Sequence, residues 1–416
     1  MALIKKPETG MKDILPEEME IRDFVSRTAR QTYASYGFEH IETPCVEHIE
    51  NLSSSQGGEN EKLIFKIMKR GEKLDLSAAK EENDLCDAGL RYDLTLPLAR
   101  YYALHQAELL TPFKAFQMGS VFRAERPQKG RFRQFTQCDI DILGESGTMA
   151  EIELITATTE LLSKIGFSGF TVRISDRRLL GAMADYSNIP AEKRDEAFII
   201  LDKMDKIGLE GVKEELGKNG FAEEAQERFL SLFTEKEQGI EGIRALAEKL
   251  GAAADPARED LEHIIRMVSA VKKADFRILF DPTLVRGMSY YTGTIFEIEM
   301  DEFGSSVAGG GRYDGMIGRF TGSDVPACGF SIGFERIITI LMDRKFQIPG
   351  RAGRKAILVE KGAGEDVLKK AMAKAEELRG NGDTALVCRM AKNKKFQKES
   401  LAGRGYGEFI EFYKEG

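Results

Sequence analysis

From Val121 to Gly144 apolar and polar residues alternate on either side of a basic interruption, VFRAERPQKGRFRQFTQCDIDILG. The pattern predicts strand, loop, strand, with Pro127 and Gly130 as breakers. On the return strand Phe135, Gln137, Asp139 and Asp141 share one face. Upstream, Ile21, Phe24, Val25, Ala29 and Tyr33 recur at helical spacing, which predicts a helix over 18–36 stopped by Gly37. Residues 38–47 read as a strand, and Pro44 confines it to an edge or an interface. A short hairpin is expected over 61–76, a strand passing into a helix over 90–102, and a short strand over 113–118. Thr95 is a candidate cap there, with Pro97 in the first turn.

Further on, an amphipathic helix over 148–165 ends at Gly166, and a strand follows over 170–174. Ser175 or Asp176 caps the next helix. Residues 187–272 are charged, helix-forming and poor in strand signals, and they read as a helical insertion with its own small core. Strands return at 276–280, 293–300 and 305–308. The glycines of 308–313 fit either close approach of the backbone to a ligand or a bulged hairpin. A buried strand over 326–334 runs into an apolar helix over 335–342. After the hinge-like PGRAGR of 349–354, the tail reads β–α–β–α–β, with strands at 356–359, 384–388 and 408–413. The expected fold class is α+β, an antiparallel sheet flanked by helices, with domains over 1–348 and 354–416. Few βαβ crossovers, and no GxGxxG or GxxxxGK[ST], argue against Rossmann and P-loop folds.

Composition narrows the class. At 416 residues, 42% hydrophobic and 31% charged, the chain reads as an ordinary globular protein of two or three domains. No apolar run reaches membrane-span length, and Met1–Gly10 lacks a secretory apolar core, so a cytoplasmic location without membrane contact is expected. Five scattered cysteines predict free thiols, and four histidines, none beside a cysteine, argue against a metal site or a Cys–His nucleophile. The net charge of −8 is uneven: residues 354–416 carry 14 Lys/Arg against 10 Asp/Glu. Basic patches on an acidic body suit one structured polyanion better than any duplex. The hairpin is such a patch, with five Arg/Lys and one acid between Arg123 and Arg133. Alone it reads as a solvated face rather than a site; a nucleoside triphosphate with RNA close by is the guest it would fit.

Several loops share this mixture of Arg, Gly and carboxylate, and together they resemble the histidyl-tRNA synthetases of class II. Phe38–Glu47 with Pro44 resembles the dimer-forming motif 1, Phe122 through Asp141 resembles motif 2, and Gly329–Arg336 (GFSIGFER) resembles motif 3. RGMSYYTGTIFE (286–297) and AGGGRYD (308–314) resemble signatures particular to the histidine enzymes. The resemblance implies a homodimer meeting at the Pro44 strand. It also implies ATP with Mg2+, L-histidine and tRNA-His as ligands, and a small anticodon-binding-like tail that is shortened. It assigns the α-phosphate of ATP to Arg123 and Arg286, the triphosphate to Arg336 and the adenine edge to Glu125. For histidine it assigns Asp93, Leu94, Thr95 and Gln137 around the α-amino group. Asp141 and Tyr291 are assigned to the imidazole, with Tyr290 and Tyr313 lining that pocket. No metal-binding residues are implied. Ser289 stands where the family pattern has Asp. A second reading is a histidine-sensing regulatory subunit of ATP phosphoribosyltransferase, whose ATP motifs are typically degraded; Arg123, Glu125, Arg286 and Arg336 favour the enzyme. A third is a relative that activates histidine without charging tRNA.

Overall fold

A computed structural model describes residues 3–53, 60–77, 79–80, 82–126, 132–233, 239–285, 291–300, 305–350 and 352–414. The chain falls into two compact units, residues 1–14 with 22–343, and residues 15–21 with 344–416. In chain order the first unit carries β1 (Glu39–His40), β2 (Val46–His48), β3 (Lys66–Met68), β4 (Cys86–Leu90), β5 (Phe113–Phe122) and β6 (Gln134–Leu143). It continues with β7 (Phe170–Asp176), β8 (Phe276–Phe280), β9 (Thr294–Met300), β10 (Ser305–Arg312) and β11 (Ala327–Ile332).

Eight of these strands form one sheet in the order β1-β5-β6-β11-β10-β9-β7-β8. Only β1 with β5 and β7 with β8 run parallel. Helix Met149–Lys164 packs against β11, and helix Phe334–Asp343 against β6. Their apolar stripes, including Leu154, Leu161, Ile337 and Leu341, are fully buried. Asp176, not Ser175, caps helix Arg177–Tyr186: its carboxylate accepts from the Arg178 amide at 2.8 Å. Between Arg194 and Val271 the described regular structure is helical, and these helices pack on one another and on helices Arg177–Tyr186 and Met149–Lys164.

Three expectations change. The strand expected over 38–47 is split: β1 lies at the edge of the large sheet, whereas β2 joins a separate sheet in the order β2-β4-β3. Pro44 lies in the exposed turn between them, where its missing N–H costs no ladder bond. Residues 61–76 do not fold on themselves, because β3 pairs with β4. The strand expected over 113–118 is continuous with the first hairpin strand as β5, paired with β6 from Phe113↔Leu143 to Phe122↔Gln134.

The second unit holds β12 (Arg354–Val359), β13 (Thr384–Arg389) and β14 (Glu408–Phe412) in a parallel sheet of order β13-β12-β14. Ile357, Val359, Ala371, Ala375 and Leu378 form its core.

Candidate active site

The hairpin β5–β6 carries the site because period-two alternation turns Gln137, Asp139 and Asp141 to one face. Across the next ladder Asp139 stands opposite Ser331 and Asp141 opposite Gly329. One ladder further, Gly309, Gly310 and Gly311 stand opposite Ser331, Phe330 and Gly329. Over this face lies a cavity of about 480 Å³ whose lining includes Arg123, Glu125, Gln137, Asp139 and Arg336. A smaller one of about 30 Å³ is bounded by Asp141, Tyr313, Gly310 and Gly329. Thr95, Asp139, Tyr291, Gly309 and Ser331 line both, so they form the throat between them.

The glycines are therefore strand residues rather than a turn, and their missing side chains make the deep cavity. A Cβ on Gly310 would meet the Gly329 carbonyl oxygen, and one on Gly311 would lie 3.0 Å from Tyr291. A Cβ on Gly329 would strike the Asp141 carboxylate and lie 3.2 Å from the Tyr313 ring. Gly329→Ala is expected to cost about 1–3 kcal/mol through overpacking. A fall in the thermal midpoint measures it; an unchanged midpoint would mean that Asp141 and Tyr313 have room to retreat.

Two arginines stand at the mouth. The Arg123 guanidinium lies 5.1 Å over the Phe135 ring, and its Nε donates to the Tyr92 carbonyl at 3.0 Å. Stacking and the single Nε bond hold its plane in the cavity wall. The chain around it is pinned from outside the sheet, by the Phe122 amide to Arg91 O at 2.9 Å and the Ala124 amide to Leu63 O at 2.8 Å. Arg336, in the first turn of helix Phe334–Asp343, donates through Nη1 to the Ser306 carbonyl. Its neighbour Glu335 accepts from the Thr136 amide at 3.1 Å and pairs with buried Arg22, which lies 5.4 Å over Phe334. That ion pair ties helix and hairpin together beside the cavity, and removing one partner of a buried pair costs about 3–5 kcal/mol.

The deep end is acidic. Tyr313 donates its hydroxyl to Asp141 Oδ1 at 2.6 Å, while Asp141 Oδ2, buried, has no partner among the described residues. Burial pushes the Asp141 carboxyl up to about 7; the charge of Asp93 adds to this and the Tyr313 bond opposes it. Asp139 is also raised, by burial and then by the charge of Asp141, against the hydroxyl of Ser331. Asp93 is raised by burial, opposed by the Leu96 amide and the charge of Arg123. The charge of Arg123 offsets Asp93 and Asp139 only in part, so among the described residues the three buried carboxylates keep the deep end acidic.

Of the residues assigned from sequence, Arg123, Glu125, Arg336, Thr95, Gln137, Asp141, Tyr291 and Tyr313 line one or both cavities. Asp93 and Leu94 line neither. Asp93, and not Thr95 as expected, accepts the Leu96 amide at 3.2 Å at the start of helix Thr95–His105, of which Thr95 is the first residue, and the Leu94 side chain is buried in the core. Arg286, Ser289 and Tyr290 lie outside the described residues. The throat residues Asp139 and Ser331 were not assigned. Alternation already placed Asp139 on the right face, whereas Ser331 needs the β6–β11 register. Among the described residues no group of three or more His, Cys, Asp or Glu is placed to hold a metal ion, and no helix is long and apolar enough to cross a membrane. All five cysteines are free.

An antiparallel sheet with an arginine on its hairpin, and a second arginine heading the helix after a central strand, is the catalytic fold of the class II aminoacyl-tRNA synthetases. Within that class the chain belongs to the histidyl-tRNA synthetase family, whose profile matches residues 10–337. It is 43% identical over 412 residues to the histidine–tRNA ligase of Leifsonia xyli subsp. xyli (strain CTCB07), covering 97% of this chain and 94% of the relative. The crystal structure of histidyl-tRNA synthetase from Nostoc sp. PCC 7120 superposes with a TM-score of 0.79 at 27% identity, covering 97% of this chain and 90% of that one. An ATP phosphoribosyltransferase regulatory subunit/histidyl-tRNA synthetase from Bacillus halodurans shares the fold, with a TM-score of 0.80 at 20% identity and full coverage of both chains.

Proposed function

We propose that this protein is a histidine–tRNA ligase, which joins L-histidine to ATP as histidyl-adenylate with release of pyrophosphate and then esterifies the 3′ end of tRNA-His. The observation that carries the reading is the pair of adjoining cavities, the larger walled by arginines and the smaller by the buried carboxylate of Asp141. The histidine carboxylate attacks the α-phosphorus, and charge builds on the phosphoryl oxygens. The guanidinium groups of Arg123 and Arg286 stabilise that charge, and Arg336 holds the departing pyrophosphate. Glu125 faces the adenine. Asp141 and Tyr291 take the two imidazole nitrogens, and Gln137 and Thr95 face the α-amino group. Mg2+ enters with ATP as counter-charge for its phosphates. The basic tail unit contacts the tRNA, residues 38–47 meet a second copy in a homodimer, and the cytoplasm is the working compartment.

Arg123, Glu125 and Arg336 all line the larger cavity, which supports nucleotide use over a purely histidine-sensing regulatory role. Histidine-dependent ATP–pyrophosphate exchange, followed on the same sample by charging of tRNA-His, tests the proposal. Exchange with charging is expected. Exchange without charging would limit the protein to histidine activation, and histidine binding without exchange would favour the regulatory subunit.

A further inference from the structure

An amino acid that is to be adenylated here must span both cavities. With its imidazole taken by Asp141 as proposed above, its ring lies at the small cavity, while its carboxylate must reach the side of the larger cavity where Arg123 stands. The α-carbon and its ammonium then lie in the throat. Of the five throat residues, Thr95, Asp139, Tyr291, Gly309 and Ser331, Asp139 is the carboxylate. Asp93, whose charge acts on both Asp139 and Asp141, lines neither cavity and accepts from the Leu96 amide. Asp139 is 4% exposed and is held by the Ser331 hydroxyl from directly across the β6–β11 ladder. A separate observation points to a missing ligand next to the throat: Asp141, 3% exposed, keeps Oδ2 without a partner in the small cavity, which fits the imidazole end of the same substrate.

We propose that Asp139, oriented by Ser331, is a substrate-binding residue that receives the α-ammonium of histidine in the throat and selects for an imidazole compound carrying that cation. The inference rests on histidine being the substrate, as proposed above. The chemistry is economical. In the absence of a cation, burial and the charge of Asp141 favour the neutral carboxyl of Asp139. An arriving ammonium adds to the partial counter-charge of Arg123, so Asp139 ionises against it in a charge-assisted hydrogen bond. Ser331 is a positioning residue, because it acts through Asp139.

The test is calorimetric binding by the full chain, wild type and Asp139→Asn, of three probes. These are histidine, histamine (ammonium without carboxylate) and imidazolepropionate (carboxylate without ammonium). The variant is expected to bind histidine and histamine about 10- to 100-fold more weakly, the span set by one hydrogen bond to a charged group. Its affinity for imidazolepropionate should be unchanged. Ser331→Ala should shift the same two probes in the same direction by less, and it carries the test if Asp139→Asn does not fold. Equal weakening of all three probes, which is what a merely structural role gives, would overturn the proposal. So would an unchanged affinity for histamine, or a wild-type protein that binds none of the three. Wild-type pyrophosphate exchange separates this inference from the ligase reading. Lost ammonium selectivity in the variant, without exchange in the wild type, would sink the ligase reading alone. Exchange in the wild type, with ammonium selectivity intact in the variant, would sink this inference alone.

Discussion

Arg123→Ala is expected to lower histidine-dependent pyrophosphate exchange by about 10²- to 10³-fold, the loss associated with one preorganised donor at a centre of developing charge. The fold should survive. Arg123 contributes one bond to the Tyr92 carbonyl and its stack on Phe135, and the hairpin around it is pinned by the amides of Phe122 and Ala124. Arg123→Lys should recover little, because an ammonium neither forks to two phosphoryl oxygens nor stacks as a plane on Phe135. Single-turnover adenylate formation with saturating ATP makes the measurement. If the alanine variant forms adenylate at the wild-type rate, Arg123 is only a wall of the cavity.

Asp141→Asn should move stability and histidine use in opposite directions. The folded protein holds the Asp141 proton up to about pH 7, against an ordinary value of 3.8. Between those two values the folded chain binds more protons than the unfolded one, so this group's contribution to stability falls as pH rises through that window and stays lost above it. A displacement of about three pH units corresponds to a cost on the order of 4 kcal/mol at high pH. Asparagine keeps an acceptor for the Tyr313 hydroxyl and carries no charge. The variant should therefore melt higher than wild type at pH 8 and close to it at pH 4. Its KM for histidine should rise at least about tenfold, the price of one charge-assisted bond. In the wild type, KM for histidine should also climb as pH drops below 7, when Asp141 is protonated. The substrate imidazole titrates nearby in both proteins, so the difference between their pH profiles isolates Asp141. A variant no more stable at pH 8, with a parallel profile, would mean that Asp141 is ionised and satisfied in the resting site.

The parts of the fold legible in the sequence are those set by neighbours along the chain. The β5–β6 hairpin shows period-two alternation broken by Pro127 and Gly130, and Gly37 and Gly166 mark helix ends through their freedom at positive φ. Pairing at long range carried no such signal. Lys66–Met68 leaves its own segment to pair with Cys86–Leu90, and nothing in residues 61–76 announces that partner. Pro44 warned of an edge but not that the strand would break into two sheets. The same division holds at the site. Asp139 and Asp141 could be placed on one face from sequence alone, yet Ser331 and the empty space beside Gly329 depend on which strand lies next to β6. The Arg22–Glu335 pair joins residues 313 positions apart and was invisible for that reason.

A wall built of absent side chains has a direction in heredity. Every replacement of Gly310 or Gly329 adds atoms where a carbonyl or a carboxylate already sits. Point mutation at these two glycines can therefore narrow this chamber but cannot enlarge it, and more room can come only from shortening side chains such as Tyr291, Tyr313 or Asp141 that line it as well. Descendants of this gene are thus steered by geometry away from change at the glycine wall before selection acts. Their room to vary lies where the wall is made of side chains, among them Glu125 and Arg336 at the mouth, which can be shortened as well as lengthened.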